Sequence, residues 1–370
     1  MNDPLTTTPT GKTRARGLGI PFDGTPGRCN AITDVPGVEV GYTTLIAGDG
    51  ALVVGRGPVR TGVTAILPRG RAGLAQPCFA GCFSLNGNGE LTGTVWIEEA
   101  GRLEMPVTIT NTHSCGLARD ATIRWWVAHK PDFIDSWALP TAGETYDGHL
   151  NDINGFHVRE EHVLAALDGA RGGPIDEGSV GGGTGMTSYE FKAGSGTASR
   201  SVRYGAAAYV VGVFVQANFG RRHQLTIAGV PIGRHIPEGT YRDREQGSII
   251  AIVATDAPLL PHQLKRLARR VGLGVGRSGS ISGHGSGDIF LAFSTANGEA
   301  TAAGDGVAAL HMIPEHRLDP LFEAVVQATD EAVINSLVAN ATMEGRDGHT
   351  VLALPHDRVI ELLRRYGRSI

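Results

Sequence analysis

The sequence predicts an α+β protein, and the architecture we favour is a four-layer αββα sandwich in which helices cover two mixed sheets. Short β-branched runs bounded by Gly, Pro or Asn alternate with helical patterns along most of the chain. No internal repeat or low-complexity linker divides the 370 residues, so we expect a single domain over residues 1–370. A chain of this length buries enough apolar surface to fold without disulfides. The patterning predicts helices and strands but leaves the order of the layers undetermined.

The N-terminal half begins with a predicted loose arm at residues 1–20. Strands are predicted where β-branched residues cluster between turn-forming residues: 37–40, 63–67, 93–97 and 106–110. Two helical patterns follow at 118–130 and 159–169, and the second opens with acidic residues and ends at glycine, as the helix dipole favours. The segment ETYDG at 144–148 is predicted to lie in the loop between these helices.

The C-terminal half repeats the alternation. A long strand is predicted at 208–217, where it ends at Asn218, and Asp256 is expected to cap a basic helix that has Pro261 in its early turns. The other predicted elements are strands at 248–255, 289–295 and 350–354 and helices at 319–338 and 359–365.

Composition limits the function classes. Lys and Arg number 33 against 37 Asp and Glu, and this net charge of −4 argues against nucleic acid or an anionic membrane as the main partner. The four cysteines, at positions 29, 78, 82 and 115, show no pairing or CxxC pattern and are expected to be ordinary buried thiols. The N-terminus lacks a signal-peptide form, and no apolar run approaches the ~18 residues of a membrane span. We therefore expect a cytoplasmic protein.

Two segments imitate cofactor or metal motifs. GVGRSG at 274–279 matches a dinucleotide-binding pattern, but it follows a helix rather than a strand. HVREEH at 157–162 has histidines five apart, which do not share one face of a helix. Neither segment supports a ligand site, so these motifs give no reason to expect a cofactor.

The most informative feature is Ser248, the first residue of a predicted buried strand. It follows Gly247 and a charged loop, PEGTYRDREQ at 237–246. Cleavage of the Gly247–Ser248 bond would give one residue a hydroxyl nucleophile and, on its own α-amine, a base. Gly-Ser occurs five times in the chain, so the position of Ser248, rather than the dipeptide, carries this hypothesis.

Polar side chains at loop and strand-end positions supply the other parts of an amide-cleaving site. Asn218 and Tyr146 are candidate donors to an oxyanion. Ser286 and Asp288 are two apart, so an extended chain places them on one face, where they are candidates to orient Ser248. Glu144 is a candidate partner for the ammonium of a substrate N-terminus. Each residue also has a structural interpretation, as a loop anchor, turn residue or cap.

Long motifs in matching order show that the chain resembles the self-cleaving serine aminopeptidases typified by the L-aminopeptidase D-Ala-esterase/amidase, a family that includes the β-peptidyl aminopeptidases. The resemblance covers about residues 15–355. The motifs are NAITDVPGVEVG (30–41), TNTHS (110–114), ETYDG (144–148), NDING (151–155), GGGTG (181–185), VQANFG (215–220), GSII (247–250) and SGHGSGD (282–288).

The resemblance implies an αββα sandwich similar to the N-terminal nucleophile hydrolases but with different strand connectivity. It implies self-cleavage into an α polypeptide, 1–247, and a β polypeptide, 248–370, which stay associated in a tetramer of αβ units. It places the nucleophile on Ser248, oxyanion support on Tyr146 and Asn218, and a serine–acid pair on Ser286 and Asp288, where some relatives have Glu in place of Asp.

The resemblance also implies that Glu144 receives the substrate ammonium and that the enzyme uses no metal. The expected substrates are small peptides, amides or esters with a free N-terminal amine. The predicted activity is release of N-terminal residues, with D-alanyl amidase and esterase activity. Three alternatives remain: a β-peptidyl aminopeptidase of the same family, an acyltransferase related to the ornithine acetyltransferases, whose nucleophile is threonine, and a self-processing scaffold without turnover.

Overall fold

The computed structural model describes residues 3–130, 137–244, 247–302 and 306–368. In these residues the strands are β1 Glu39–Ala47, β2 Val59–Leu67, β3 Cys78–Gly87, β4 Arg102–Leu103, β5 Val107–Asn111, β6 Thr141–Thr145, β7 Thr187–Ser188, β8 Phe191–Lys192, β9 Ser195–Tyr204, β10 Ala207–Asn218, β11 Gly247–Thr255, β12 Ser286–Ser294, β13 Met343–Glu344 and β14 Thr350–Val351. The α-helices are α1 Thr94–Ala100, α2 Cys115–His129, α3 Glu160–Asp168, α4 Ile232–His235, α5 Pro261–Arg277, α6 Gly298–Ala302, α7 Asp319–Val338 and α8 His356–Arg365.

Two mixed sheets form the centre of the protein. The first has the strand order β1-β2-β5-β6, and the second has the order β4-β3-β12-β11-β10-β9. Parallel pairing joins β5 to β6 and β11 to β12, whereas the other neighbours in both sheets are antiparallel. Two small antiparallel pairs, β7-β8 and β13-β14, complete the described strands.

The apolar side chains divide into three clusters that define four layers. Between the sheets, Ile66 and Ile109 of the first sheet share a cluster with Phe214, Ile250 and Leu291 of the second. A second cluster joins the outer face of the first sheet to α2 and α3, and a third joins the outer face of the second sheet to α5 and α7. Burial of both faces of both sheets makes the fold an αββα sandwich, as predicted.

Side-chain alternation along β11 determines which way the predicted nucleophile faces. Ile249, Ala251 and Val253 belong to the cluster under the helices, whereas Ile250 and Ile252 belong to the cluster between the sheets. Successive side chains of a strand point to opposite faces, so residue 248 shares the face of Ile250. The strand therefore turns Ser248 toward the first sheet.

The prediction of a strand at 93–97 is wrong. Residues 94–97 form the first part of α1. The helix begins after Gly93, whose own backbone is left-handed with a φ of 76°. The β-branched run continues into Glu98, Glu99 and Ala100, which favour a helix, and Ile97 provides its buried contact. In addition, β4 already pairs with the free edge of β3, so residues 93–97 could not pair with β3 at that edge.

The predicted loose arm is also wrong for the described part of residues 1–20. The Arg14 side chain is buried, and its Nε donates to Glu177 Oε2 at 2.7 Å. Arg16 pairs with the buried Glu331 at 2.6 Å. Residue spacing in the arm gave no sign of these partners, which lie far away in the sequence.

Several element boundaries differ from the sequence predictions. Helix α5 begins at Pro261, and Asp256 lies outside it, where its Oδ1 accepts a hydrogen bond from the Val210 amide at 2.7 Å. Proline favours the first helical position, which explains this later start. The strand predicted at 350–354 is limited to Thr350–Val351, and the ETYDG segment is not a loop throughout, because Glu144 and Thr145 belong to β6.

Candidate active site

Ser248 lies near the start of β11, in the interior of the larger sheet. It pairs with Asn218 of antiparallel β10 on one side and with Gly287 of parallel β12 on the other. The residue is 6% exposed, and its Oγ accepts a hydrogen bond from the Gly287 amide at 3.3 Å. The sheet therefore holds Ser248 in place, and a small part of the residue remains exposed.

Strand β6 of the first sheet brings Glu144 and Tyr146 to the same region. Gly143 permits close packing here, since a Cβ at this position would lie 3.0 Å from the side chain of Leu91 and would touch that of Ile250 at 3.4 Å. Gln216 of β10 joins the sheets here, because its Nε2 donates to Thr110 O at 3.0 Å and to Thr145 Oγ1 at 2.7 Å. The nucleophile candidate and the substrate-binding candidate thus come from different sheets.

Glu144 is a buried carboxylate held by two donors. Its Oε1 accepts the Glu90 amide at 3.0 Å, and its Oε2 accepts the Thr112 hydroxyl. Burial raises the pKa of Glu144 above the ordinary glutamate value, and these two hydrogen bonds offset part of that rise. Such a carboxylate gains from an incoming ammonium, which would supply the missing positive charge.

Tyr146 and Asn218 meet at the end of β6. Asn218 Nδ2 donates to the Tyr146 carbonyl at 2.8 Å, and Asn218 Oδ1 accepts the Thr187 amide at 2.9 Å. These bonds set the orientation of the amide, whose second N–H proton has no acceptor among the described residues. The Tyr146 side chain is 51% exposed, and a Cβ at Gly148 would lie 2.3 Å from its hydroxyl, so the glycine makes room for it.

Ser286 and Asp288 share one face of β12, as predicted, and Ser286 Oγ donates to Asp288 Oδ1 at 2.6 Å. Ser286 lies opposite Gly247 in the parallel pair. By alternation, the two side chains share the face of Phe290, which packs under the helices. The pair therefore flanks the Gly247–Ser248 backbone from the face opposite the Ser248 side chain.

A cavity of about 810 Å³, which we call the nucleophile cavity, lies over Ser248. Its lining includes Glu144, Tyr146, Gly247 and His284. His284 forms no hydrogen bond to a described residue, so nothing in the described chain orients it as a base. The structure thus brings Ser248, Glu144 and Tyr146 to one cavity, with Asn218 beside them and the Ser286–Asp288 pair behind the backbone.

Sequence reasoning missed the segment that supports Glu144. A Cβ at Gly89 would lie 3.2 Å from Glu144 Oε1 and 3.3 Å from the Gly287 Cα, so only glycine fits between them without displacement. Glu90 then presents its amide to the carboxylate. The glycine-spaced run NGNG at 86–89 was the available signal, because such runs permit close backbone approach.

Among the described residues, no group of three or more His, Cys, Asp or Glu side chains is arranged to hold a metal ion. All four cysteines are buried free thiols. No helix in the described part of the chain has the length and apolar character needed to cross a membrane.

Asp147, next to Tyr146, is fully buried, and burial raises its pKa to about 7 despite hydrogen bonds from Thr61 and Asn151. The folded state therefore favours the neutral acid, and ionisation costs stability as pH rises from about 4 to about 7. Asp147→Asn removes this cost, and we expect it to raise the melting temperature by about 2–5 °C at pH 8 and by less at pH 5. Thermal denaturation at both pH values measures the difference.

The exposed Asp120 on α2 provides a matched control, since Asp120→Asn should change the melting temperature equally little at both pH values. A stabilisation by Asp147→Asn that did not grow with pH would contradict the raised pKa of Asp147.

The αββα sandwich places the chain in the fold class of the Ntn hydrolases. Residues 30–351 match peptidase family S58, and the chain belongs to this family of aminopeptidases. It is 51% identical to the β-peptidyl aminopeptidase BapA of Sphingosinicella microcystinivorans over 96% of this chain and 93% of the relative. It is 47% identical to the BapA of Sphingosinicella xenopeptidilytica over 95% of this chain and 91% of the relative.

Among solved structures, the L-aminopeptidase D-Ala-esterase/amidase of Ochrobactrum anthropi superposes with a TM-score of 0.91 at 49% identity. The match covers 96% of this chain and 99% of that chain. That protein is described as a prototype for the serine aminopeptidases and a new variant among the Ntn hydrolase fold. The predicted family, fold class and enzyme class are therefore confirmed.

Proposed function

We propose that this aminopeptidase releases N-terminal β-amino acid residues from short peptides and amides, with Ser248 as its nucleophile. The observation that carries the proposal is the shared nucleophile cavity, in which the buried Glu144 carboxylate and Ser248 meet. Glu144 would hold the substrate ammonium and so place the first carbonyl at Ser248. The two BapA relatives, at 51% and 47% identity, favour β-amino acid residues.

The nucleophile would form by self-cleavage. The Ser248 hydroxyl attacks the Gly247 carbonyl, the peptide nitrogen leaves as the new α-amine, and water hydrolyses the resulting ester to free the Gly247 carboxylate. The products are an α polypeptide, 1–247, and a β polypeptide, 248–370, which the shared sheet would hold together. The Ser286–Asp288 pair behind this backbone would orient the new α-amine.

Turnover then uses the α-amine of Ser248 as the base. Its ordinary pKa of about 7.7–8.0 leaves a useful neutral fraction near neutral pH. The Ser248 hydroxyl attacks the substrate carbonyl, and the free N–H of Asn218 and the Tyr146 hydroxyl donate to the oxyanion. The amine departs with the proton taken from Ser248, and water hydrolyses the acyl-enzyme. We further propose that αβ units assemble as tetramers, which light scattering would test.

A second candidate, removal of L-α-amino acid residues, is favoured by the solved relative at 49% identity. Turnover of the p-nitroanilides of β-alanine, L-alanine and D-alanine distinguishes the two. We expect the β-alanyl compound to have the highest kcat/KM. A higher value for the L-alanyl compound would replace the β-peptidyl assignment with the L-aminopeptidase, and turnover of none would contradict both.

Product analysis in the presence of a competing amine addresses the remaining alternative. Hydrolysis should predominate, so that free β-alanine is the main acyl product. Predominant transfer of the β-alanyl group to the added amine would instead indicate an acyltransferase.

A further inference from the structure

A second cavity, of about 560 Å³, adjoins the nucleophile cavity at Tyr146 and Arg244, which line both. We call it the cationic cavity, because its lining includes Arg242, Arg244 and Arg346 against one acidic residue, Asp243. The proposed chemistry at Ser248 assigns no role to these side chains. Their concentration beside the site therefore requires its own explanation.

Arg242 is fixed in place by hydrogen bonds, and the acceptors of its guanidinium are neutral. Its backbone amide donates to Glu190 Oε1 at 2.7 Å, while its guanidinium donates to Gly220 O at 3.1 Å and to Thr187 Oγ1 at 2.7 Å. Among the described residues, no carboxylate forms an ion pair with this guanidinium. Its position is thus determined while its charge remains available to an anion.

Arg346 approaches the same cavity from the C-terminal part of the chain. Its Nε donates to Gly148 O at 2.7 Å, and its Nη1 pairs with the partly exposed Asp347 at 3.0 Å. An ion pair this exposed contributes little and can yield to a better-placed anion. Arg346 is therefore positioned by the backbone beside Tyr146 and still able to bind a ligand.

A stack of rings forms one wall of the cavity. His149 lies between Tyr241, at a centroid distance of 4.2 Å, and His349, at 4.6 Å. Burial is the main cause that lowers the pKa of His149 to about 4, and the neighbouring His349, Arg242 and Arg346 contribute to that lowering. The stack is consequently a neutral, flat surface at its centre, set among cationic groups.

The two cavities are complementary in charge. The nucleophile cavity includes the carboxyl groups of Glu90 and Glu144, with Arg244 at its boundary, whereas the cationic cavity is dominated by arginine. Asn218 lines the cationic cavity, and its backbone pairs with Ser248. A peptide bond placed at Ser248, with its N-terminus at Glu144, would therefore have its leaving portion at the entrance to the cationic cavity.

We propose that the cationic cavity is a leaving-group subsite that binds the free C-terminal carboxylate of a short peptide. This inference rests on the proposed function and narrows its substrate class to zwitterionic dipeptides and similarly short peptides. Arginine suits the role, because its guanidinium binds carboxylates through two parallel hydrogen bonds. The ammonium and carboxylate of one substrate would then be recognised at opposite ends of the site.

The test compares β-alanyl-L-alanine with its C-terminal amide, which differs only in lacking the carboxylate charge. We expect kcat/KM to be about 10-fold higher for the free dipeptide, mainly through a lower KM. Arg346→Gln should reduce this ratio toward one, and Arg346→Lys, which retains the charge, should restore part of it. Arg365→Gln, on the exposed side of α8, should leave the ratio unchanged.

Two outcomes would overturn the inference. One is a dipeptide-to-amide ratio near one in the unsubstituted enzyme. The other is an Arg346→Gln enzyme in which kcat/KM falls by the same factor for both substrates. Arg346 would then have only a structural role, through its hydrogen bond to Gly148. Turnover of β-alanyl p-nitroanilide, which has no carboxylate, distinguishes these results from failure of the proposed function. If the proposed function were wrong, the enzyme would not hydrolyse this compound either.

Discussion

Ser248→Ala is expected to leave the protein as one uncut chain and to lower aminopeptidase activity by at least roughly 10⁴-fold. The substitution removes the hydroxyl that would attack both the Gly247 carbonyl and the substrate. Alanine fits the position, since Ser248 lies in a regular strand and its Oγ has only the Gly287 amide as a described partner. Denaturing intact-mass spectrometry and a β-alanyl p-nitroanilide assay measure the two effects.

The matched control is Ser280→Ala, because Ser280 also follows a glycine but lines neither cavity. This variant should give two fragments, the smaller beginning at Ser248, and near-normal activity. If the Ser248→Ala protein were still cut after residue 247, Ser248 would not be the nucleophile of self-cleavage. If the unsubstituted protein were active as one uncut chain, the α-amine of Ser248 would not be the base in turnover.

Glu144→Gln is expected to lower kcat/KM for β-alanyl p-nitroanilide by roughly 100-fold, with much of the loss in KM. Glutamine keeps the shape of the side chain and can still accept the Glu90 amide and contact Thr112. It loses the negative charge that would bind the substrate ammonium. Self-cleavage requires no ammonium, so intact-mass spectrometry should still show both fragments.

Glu161→Gln, at an exposed position of α3, should leave both measurements unchanged. Activity of Glu144→Gln close to that of the parent would exclude Glu144 as the ammonium site. Since burial raises the pKa of Glu144, the acidic limb of kcat/KM should lie at a higher pH than an ordinary glutamate would give. Glu144→Gln should abolish that limb.

Local sequence determined much of the fold where pattern and environment agree. The run at 248–255 is apolar and β-branched because β11 is buried on both faces, and its signal needs no knowledge of the neighbouring strands. Helix α7 was predicted with its observed bounds, since Pro320 favours a helix start and the buried face extends along its length. At 93–97 the same reasoning failed, because β-branched residues alone do not show whether a sheet edge is available.

The candidate site, like the fold, was predicted from the sequence only in part. The long ordered motifs were sufficient to indicate the family and to single out Ser248, Glu144, Tyr146 and Asn218. They could not show that the Glu90 amide supports Glu144, because that contact depends on a glycine fitting between two sheets. Nor could they place the Ser286–Asp288 pair on the opposite face from the Ser248 side chain.

The sequence by itself thus determined most of the helices and strands, the serine at a strand start and the family. Only the tertiary structure decided which side chains share a cavity, and it alone revealed that Arg242 and Arg346, 104 positions apart in the numbering, line one cationic cavity. The physical reason is that periodicity and turn chemistry act over a few residues. Charge complementarity and close packing join residues from distant segments, and the sequence carries no local sign of those pairings.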